Sequence, residues 1–233
     1  MNFKNWLFEN ESHKPTQIGK YHIFYIDSKK FRNSSLENEE FCTIAIHQDF
    51  PKSIGKNEIW IDNSVSKSEL PALLKGATNR LKELERKNNS KTAYTVGMTQ
   101  ERCYRKRHKS EIKKKKYCNI HDEKSTYHVY FVSGKAVRDN FKTDFSQGGH
   151  GYVYDWIPKN EIWLEKEEHD ESSLILIHEY AELVLMRDKK MKYEKAHPIA
   201  SKIEMKFREN KMKIDDIHKV PKLVNLYFKK NGF

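Results

Sequence analysis

The chain repeats itself once, and this internal duplication constrains its fold more than any other feature. The pattern YHIFYI at positions 21–26 returns as YHVYFV at 127–132, and KNEIWI at 56–61 returns as KNEIWL at 159–164. The offsets of 106 and 103 residues agree after one gap of three residues. Similar patterns repeated in the same order indicate two homologous halves.

Both halves have the same predicted order of elements. A strand rich in aromatic and β-branched residues comes first, then an irregular stretch, then a second strand centred on Glu-Ile-Trp. Two helical patterns follow, at 68–86 and 91–107 in the first half and at 172–188 and 193–210 in the second. Strands followed by helices predict an α+β fold, a pseudo-symmetric duplication in which each half is a small β-sheet followed by two packed helices.

Composition excludes several classes of protein. The 233 residues are 37% hydrophobic and 12% aromatic, enough for a packed core and too much for a disordered chain. No apolar run reaches the roughly 18 residues of a membrane span, and the first residues lack the apolar stretch of a signal peptide. We therefore expect an intracellular, cytoplasmic protein. The odd cysteines Cys42, Cys103 and Cys118, without CxxC spacing, predict neither a disulfide framework nor a cysteine-based zinc site.

The net charge of +11 is concentrated in two segments. Residues 102–118 carry +8 and residues 211–233 carry +4, so the rest of the chain is close to neutral. Together with the duplication, this predicts four regions: a degenerate repeat at 15–103, a basic linker at 104–120, a second repeat at 121–210 and a basic amphipathic tail at 211–233.

The helical pattern at 174–186 is apolar on every face except for His178, Glu179 and Glu182. Such a helix is expected to be buried all round. An ionised carboxylate costs several kcal/mol or more to bury unless it is paired or bound to a metal. No Lys or Arg lies within this stretch, so a divalent cation is the natural partner.

The spacing of these residues supports a metal site. His178 and Glu182 are one turn apart on one face, and Glu179 lies where the general base of an HExxH helix lies. His197, at the start of the next helix, is the candidate third ligand for Zn²⁺ or another divalent metal. Glu204 is a candidate fourth ligand or orienting acceptor, and His150, in a Gly-rich segment expected to be a flexible loop, is a further candidate.

Two further observations bear on this site. At an offset of 104, the residues of the first half opposite His178, Glu179 and Glu182 are Leu74, Lys75 and Thr78, so the first half is expected to lack the ligands. At an offset of 103, Tyr94 stands opposite His197, and Glu101 matches Glu204. The alternative to a metal site is a buried hydrogen-bonded His–Glu network that braces two helices.

The strings HGYVYDWIPKNEIWLE, ILIHEYAELVLM and YEKAHPIASKIE together resemble a family of uncharacterised zincin-like proteins from viruses, phages and microbes with an HExxE signature. The resemblance covers roughly residues 148–208. It implies His178, Glu182 and His197 as zinc ligands with Glu179 as the base. The departure from HExxH leaves the metal and any peptidase activity open.

The sequence therefore favours a metal-dependent hydrolase acting on a peptide or another amide, with Glu179 as general base. The alternative is a nucleic-acid-binding or interaction protein that uses its basic linker, with Tyr104 and Tyr117 available for stacking. The candidate nucleic-acid contacts are Arg105, Lys106, Arg107, Lys113, Lys114, Lys115 and Lys116. A solvated linker without a partner would have the same composition.

Overall fold

A computed structural model describes residues 16–32, 41, 43–142, 144–209 and 214–230. Pro15, Cys42 and the predicted tail residues 211–213 and 231–233 lie outside these ranges. Within them the chain forms two compact units, one made of residues up to 110 together with 138–144, the other of 111–137 together with 145–233. We call them unit 1 and unit 2. The return of 138–144 to unit 1 was not expected from the sequence.

Each unit contains one four-stranded sheet and two long helices, and the fold is the predicted α+β duplication. Unit 1 contains β1 (Thr16–Ile18), β2 (Tyr21–Ile26), α1 (Ser28–Arg32), β3 (Ile44–Ile46), β4 (Glu58–Asp62), α2 (Leu70–Glu85) and α3 (Ser90–Arg105). Unit 2 contains β5 (Lys115–His121), β6 (Thr126–Val132), β7 (Gly148–His150), β8 (Glu161–Glu165), α5 (Ser172–Asp188), α6 (Tyr193–Glu209) and α7 (Val220–Lys230). The short helix α4 (Gly134–Asn140) begins in unit 2 and ends in unit 1.

The two sheets have the same strand order and the same register. The orders are β1-β2-β4-β3 and β5-β6-β8-β7, with a parallel central pair and an antiparallel strand on each edge. His22 pairs with Glu58 in unit 1, and His128 pairs with Glu161 in unit 2. The edge strands β3 and β7 are three residues long and had no counterpart in the predicted elements.

The repeated Glu-Ile-Trp pattern has a structural explanation. Residues two apart on a strand lie on the same face. Trp60 Nε1 therefore reaches Glu58 Oε2 at 3.1 Å, and Trp163 Nε1 reaches Glu161 Oε2 at 2.6 Å, each indole donating to the carboxylate. The pattern satisfies a buried indole N–H, which explains why it occurs in both units.

Each sheet is covered on both faces. In unit 2, Ile162 and Leu164 pack in the same core cluster as residues of α5, α6 and α7, while Trp163 packs on the opposite face with Phe145 and Ile157. Unit 1 has the same alternation, because Ile59 and Ile61 lie in one cluster and Trp60 in another. The strands β4 and β8 are therefore buried on both faces, as parallel strands usually are.

The long helices fix the alignment of the two units more accurately than the sequence does. The residue preceding the first long helix is Glu69 in unit 1 and Glu171 in unit 2, an offset of 102. Arg105 Nη2 donates to Glu69 Oε1 at 2.8 Å, and Arg208 Nη1 donates to Glu171 Oε1 at 2.8 Å. The sequence-based offset of 104 is therefore wrong by two residues for these helices.

A second pair of contacts supports this offset. Tyr21 and Tyr127 occupy the same position in β2 and β6. Tyr21 Oη donates to Glu85 Oε1 at 3.0 Å, and Tyr127 Oη bonds to Arg187, which lies 102 residues after Glu85. Glu85 and Arg187 differ in charge, but they occupy equivalent positions in their helices.

The predicted linker and tail are both part of the folded units. Helix α3 ends at Arg105, and Lys115, Lys116 and the residues after them form β5, so the second half of the predicted linker is a strand. In α7, Val220 and Val224 are fully buried in the core of unit 2. No helix in the described part of the chain is long and apolar enough to cross a membrane.

Candidate metal centre

Helix α5 has the predicted burial on all sides. Every residue from Ile175 to Leu185 is buried, including the three polar ones, His178, Glu179 and Glu182. Sheet residues cover one side of the helix and α6 another, so these polar groups face other protein atoms rather than water. Their chemistry is set by their neighbours.

Three of the predicted residues converge on one point. His197 Nδ1 lies 3.1 Å from His178 Nε2 and 2.9 Å from Glu182 Oε2. All three ligand atoms lie within 4.8 Å of one another. Atoms about 2.0–2.1 Å from a tetrahedral zinc ion are roughly 3.3 Å apart, so a small expansion would let these three atoms hold the ion.

The donor and acceptor count at this point fits a cation. A ring nitrogen carries at most one proton, so His197 Nδ1 cannot donate a full hydrogen bond to both neighbours. If it instead accepts a hydrogen bond from His178 Nε2, it has no proton to donate to the Glu182 carboxylate 2.9 Å away, and the two acceptors repel. A divalent cation accepts all three lone pairs, so the residues present fit a metal such as Zn²⁺.

The carboxylate of Glu204 contacts the nitrogen of the His178 ring that faces away from the cluster. Its Nδ1 lies 3.2 Å from Glu204 Oε2, and Arg208 donates to the other oxygen of Glu204 at 3.0 Å. Burial lowers the pKa of His178, but the Glu204 hydrogen bond and the nearby carboxylates outweigh it and raise that pKa to about 9. With Nδ1 donating to Glu204, Nε2 is the atom that faces the cluster. Glu204 therefore takes the orienting role rather than that of a fourth ligand.

His150 is not a loop residue. It ends β7, is completely buried, and its Nε2 lies 3.1 Å from Glu182 Oε1. The flexible loop expected here is wrong, because 148–150 pair with β8. With the carboxylates of Glu179 and Glu182, His150 forms a second group with metal-ligand spacing.

The electrostatics favour an ionised Glu182 and a neutral His150. Burial raises the pKa of Glu182, but the hydrogen bonds from His150 and His197 hold that pKa far below its usual range, at about 2. Burial also lowers the pKa of His150, and this outweighs the opposing effect of Glu182. A neutral imidazole therefore lies against an anionic carboxylate.

Glu179 lies beside the three converging atoms. Its carboxylate is within 4.8 Å of ligand atoms of both His150 and Glu182, and it is 8% exposed. Gly148 packs directly against it, since a Cβ at that position would lie 3.0 Å from Glu179 Cγ. Glu179 is therefore a buried carboxylate close to Glu182, the residue that the two groups with metal-ligand spacing share.

Unit 1 has lost these groups. At an offset of 102, the counterparts of His178, Glu179 and Glu182 are Gly76, Ala77 and Arg80, which corrects the expected Leu74, Lys75 and Thr78. Tyr94 stands opposite His197 as predicted, and the sheet register places Ile46 opposite His150. Different residues therefore stand in unit 1 at the places of the candidate ligands.

A cavity of about 50 Å³ lies at the equivalent place in unit 1. It is lined by Gly76, Arg80 and Tyr94 among others, and Arg80 forms two hydrogen bonds to Asp49, at 2.9 and 2.6 Å. The Arg80 guanidinium lies 5.3 Å from the centre of the Tyr94 ring. An arginine in place of the candidate ligand Glu182 makes this position unsuited to a cation.

The candidate nucleic-acid contacts divide into two groups. Arg105 is 1% exposed and bonds to three carboxylates, so its predicted contact with nucleic acid is wrong. Lys114 pairs with Glu161 at 2.9 Å, and Tyr117 packs on Phe131. The remaining cations are exposed: Lys106, Arg107, Lys113, Lys115 and Lys116.

The sequence did not identify two groups that complete the site. Arg208 lies four residues after Glu204 on α6, a helical spacing from which their contact could have been inferred. The backbone N–H of Tyr152, which donates to His150 Nδ1 at 3.2 Å, has no signature in a sequence. No protein-family model, curated protein or solved structure matches the chain.

Proposed function

We propose that unit 2 is a metal-dependent hydrolase in which His178, Glu182 and His197 hold a divalent cation, with Zn²⁺ as the first choice, and Glu179 is the general base. The observation that carries this proposal is the convergence of three potential ligand atoms, from His178, Glu182 and His197, with the buried carboxylate of Glu179 near Glu182. When bound, the cation supplies Lewis acidity, which polarises a carbonyl group and acidifies water.

The neighbouring side chains have separate proposed roles. Glu179 accepts the proton of the attacking water and returns it to the leaving nitrogen as the carbon–nitrogen bond breaks. Glu204 fixes the ring of His178, so that Nε2 is directed at the cluster. The His197 side chain is 27% exposed, against 3% for Glu182, so substrate reaches the site from the His197 side. A peptide or another amide is the proposed substrate class, on the resemblance to HExxH helices.

Metal content of the purified protein is the first test. We expect about one equivalent of zinc per chain, retained in Glu179→Gln and lost in His178→Ala. His121→Ala is the matched control, because His121 is exposed and bonds only locally to Thr126. A wild-type protein that neither contains nor takes up zinc would refute the proposal.

Hydrolysis is the second test, on a mixed library of peptide amides. Wild type should cleave, and Glu179→Gln should lose at least 10²-fold in rate while keeping its metal. Metal retained without hydrolysis by the wild type would make the site structural. Cys103 and Cys118 are free thiols, as is usual in reducing compartments, so we place this activity inside the cell.

A second candidate function is electrostatic binding of nucleic acid, favoured by the exposure of Lys113, Lys115 and Lys116. Replacing Lys115 and Lys116 with Gln should reduce both affinity and its salt dependence for DNA or RNA. Lys114→Gln is the matched control, since Lys114 is already paired with Glu161. Equal binding at low and high salt would exclude this function.

A further inference from the structure

We infer that His150 is a positioning residue that restricts Glu182 to a single coordinating oxygen and so keeps one metal position open for water. This inference rests on the proposed function, because it concerns the same metal site. The sequence left His150 open either as an additional ligand or as a residue that supports the ligands.

The backbone determines which nitrogen of His150 carries the proton. The N–H of Tyr152 donates to His150 Nδ1 at 3.2 Å, so Nδ1 holds a lone pair. In a neutral imidazole the proton is then on Nε2. Nε2 faces Glu182 Oε1 at 3.1 Å and donates to it. The ring is completely buried, so water does not compete for either contact.

The same proton argues against His150 as a ligand. Coordination through Nε2 would require the proton to move to Nδ1. That proton would then face the N–H of Tyr152, and two donors would oppose each other in a buried site. Of the two groups with metal-ligand spacing, the one containing His178 and His197 is therefore the one that holds the metal.

The two oxygens of Glu182 have separate partners. Oε1 accepts from His150, and Oε2 lies 2.9 Å from His197 Nδ1, at the cluster. A carboxylate with one oxygen held in this way binds a metal through the other oxygen only. Two histidines and one oxygen fill three positions, and a catalytic zinc site needs the fourth for water. If Oε1 were released, it could take that position.

The duplication supports this assignment. Unit 1 keeps the scaffold carboxylate Glu101 and its partner Arg105. In the same unit Arg80 replaces the ligand glutamate, and Ile46 replaces His150. Unit 1 thus lacks counterparts of both His150 and the proposed ligand Glu182, although it keeps Glu101 and Arg105. A purely structural histidine would have no reason to follow the ligand.

Two substitutions of similar side-chain length distinguish the effect of the His150 N–H donor from the effect of the side-chain volume. His150→Gln keeps an N–H donor at about the same reach, whereas His150→Met has none. We expect His150→Met to weaken zinc binding at least 10-fold and His150→Gln to stay within about threefold of wild type. Metal affinity is measured by competition with a chromophoric chelator.

Cobalt substitution reports the open position directly. Added azide should change the visible spectrum of the cobalt-loaded wild type and of His150→Gln, because a position is free for it. In His150→Met the azide response should weaken at least 10-fold as Oε1 occupies that position. Equal zinc affinity and equal azide response in wild type and His150→Met would overturn the inference.

Two other outcomes have distinct meanings. Complete loss of metal in His150→Gln as well, as in His178→Ala, would make His150 a ligand and also overturn the inference. A wild-type protein without metal would refute the proposed function instead. Should the variants fail to fold, nitrogen NMR of the metal-loaded wild type still decides, because a His150 ring protonated on Nδ1 contradicts the argument.

Discussion

Two equivalent glutamates, one in each unit, differ in the residue that faces them. Glu101 and Glu204 occupy equivalent positions, and each accepts from an arginine one turn later. In unit 1 the residue facing Glu101 is Gly76, where an added Cβ would lie 2.7 Å from its Oε2. In unit 2 the residue at that place is His178. The equivalent carboxylate thus contacts a glycine position in unit 1 and the proposed metal ligand His178 in unit 2.

This equivalence provides a matched pair of variants. Glu204→Gln keeps an acceptor for His178 Nδ1 but removes its charge, so we expect zinc affinity to fall about 10-fold. Glu101→Gln makes the same chemical change in unit 1 and should leave zinc affinity unchanged. Both are measured by chelator competition. Equal affinities for the two variants would show that Glu204 does not support His178.

At the residue scale, the sequence predicted the groups with a helical spacing and missed those without one. His178 and Glu182 share a face of one helix, and His197 begins the next helical pattern, so their convergence followed from periodicity. The contact of His150 with Glu182 follows from a sheet register instead. The N–H of Tyr152 is a backbone group. Every residue except proline has one, so the sequence does not indicate which of them contacts His150.

At the scale of elements, the long helices and the two repeated strands of each half were predictable, whereas the edge strands were not, the seven-residue β5 included. The helical patterns at 172–188 and 193–210 match α5 and α6 to within one residue. Strands β3 and β7 have three residues each, too few for an alternating pattern to be recognised. Their pairing depends on contacts with β4 and β8, which lie far along the chain.

The C-terminal helix α7 shows how burial outweighs composition. The tail was predicted to be basic and amphipathic, and α7 has two such faces, because Val224 is fully buried while Leu226, two residues on, is 54% exposed. Val224→Ala should cost roughly 1–3 kcal/mol of unfolding free energy through lost burial. Leu226→Ala should change it by less than about 0.5 kcal/mol. Urea denaturation followed by circular dichroism measures both, and equal losses would contradict the packing of α7.

At the scale of the whole molecule, the described residues of unit 1 include a buried network of five charged side chains. Arg105 bonds to Glu69, Glu101 and Asp139, and Arg138 donates to Glu69 at 2.5 and 2.9 Å. All five side chains are buried. Burial raises the pKa of Glu69, but the two guanidinium groups outweigh it and lower that pKa below its usual range. Without Arg138, the buried carboxylates of Glu69, Glu101 and Asp139 would share the single guanidinium of Arg105.

We therefore expect Arg138→Met to destabilise unit 1 by about 3–5 kcal/mol. Arg86→Met is the control, because the Arg86 side chain is 71% exposed in its pair with Glu83 and such pairs contribute about 0–1 kcal/mol. Guanidinium denaturation with a probe in unit 1, such as the fluorescence of Trp60, distinguishes them. A small effect of Arg138→Met would mean that Arg105 alone satisfies Glu69.

The position of Arg138 in the chain also has a consequence for synthesis. The ribosome completes 1–110 well before it reaches 138–144, and β5 and β6 of unit 2 are made in between. Domains commonly fold in the order in which they are made. Here the amino-terminal unit lacks part of its interior until the first hairpin of the other has emerged. The two units therefore mature together during translation, and a nascent chain arrested near residue 110 should be sensitive to protease.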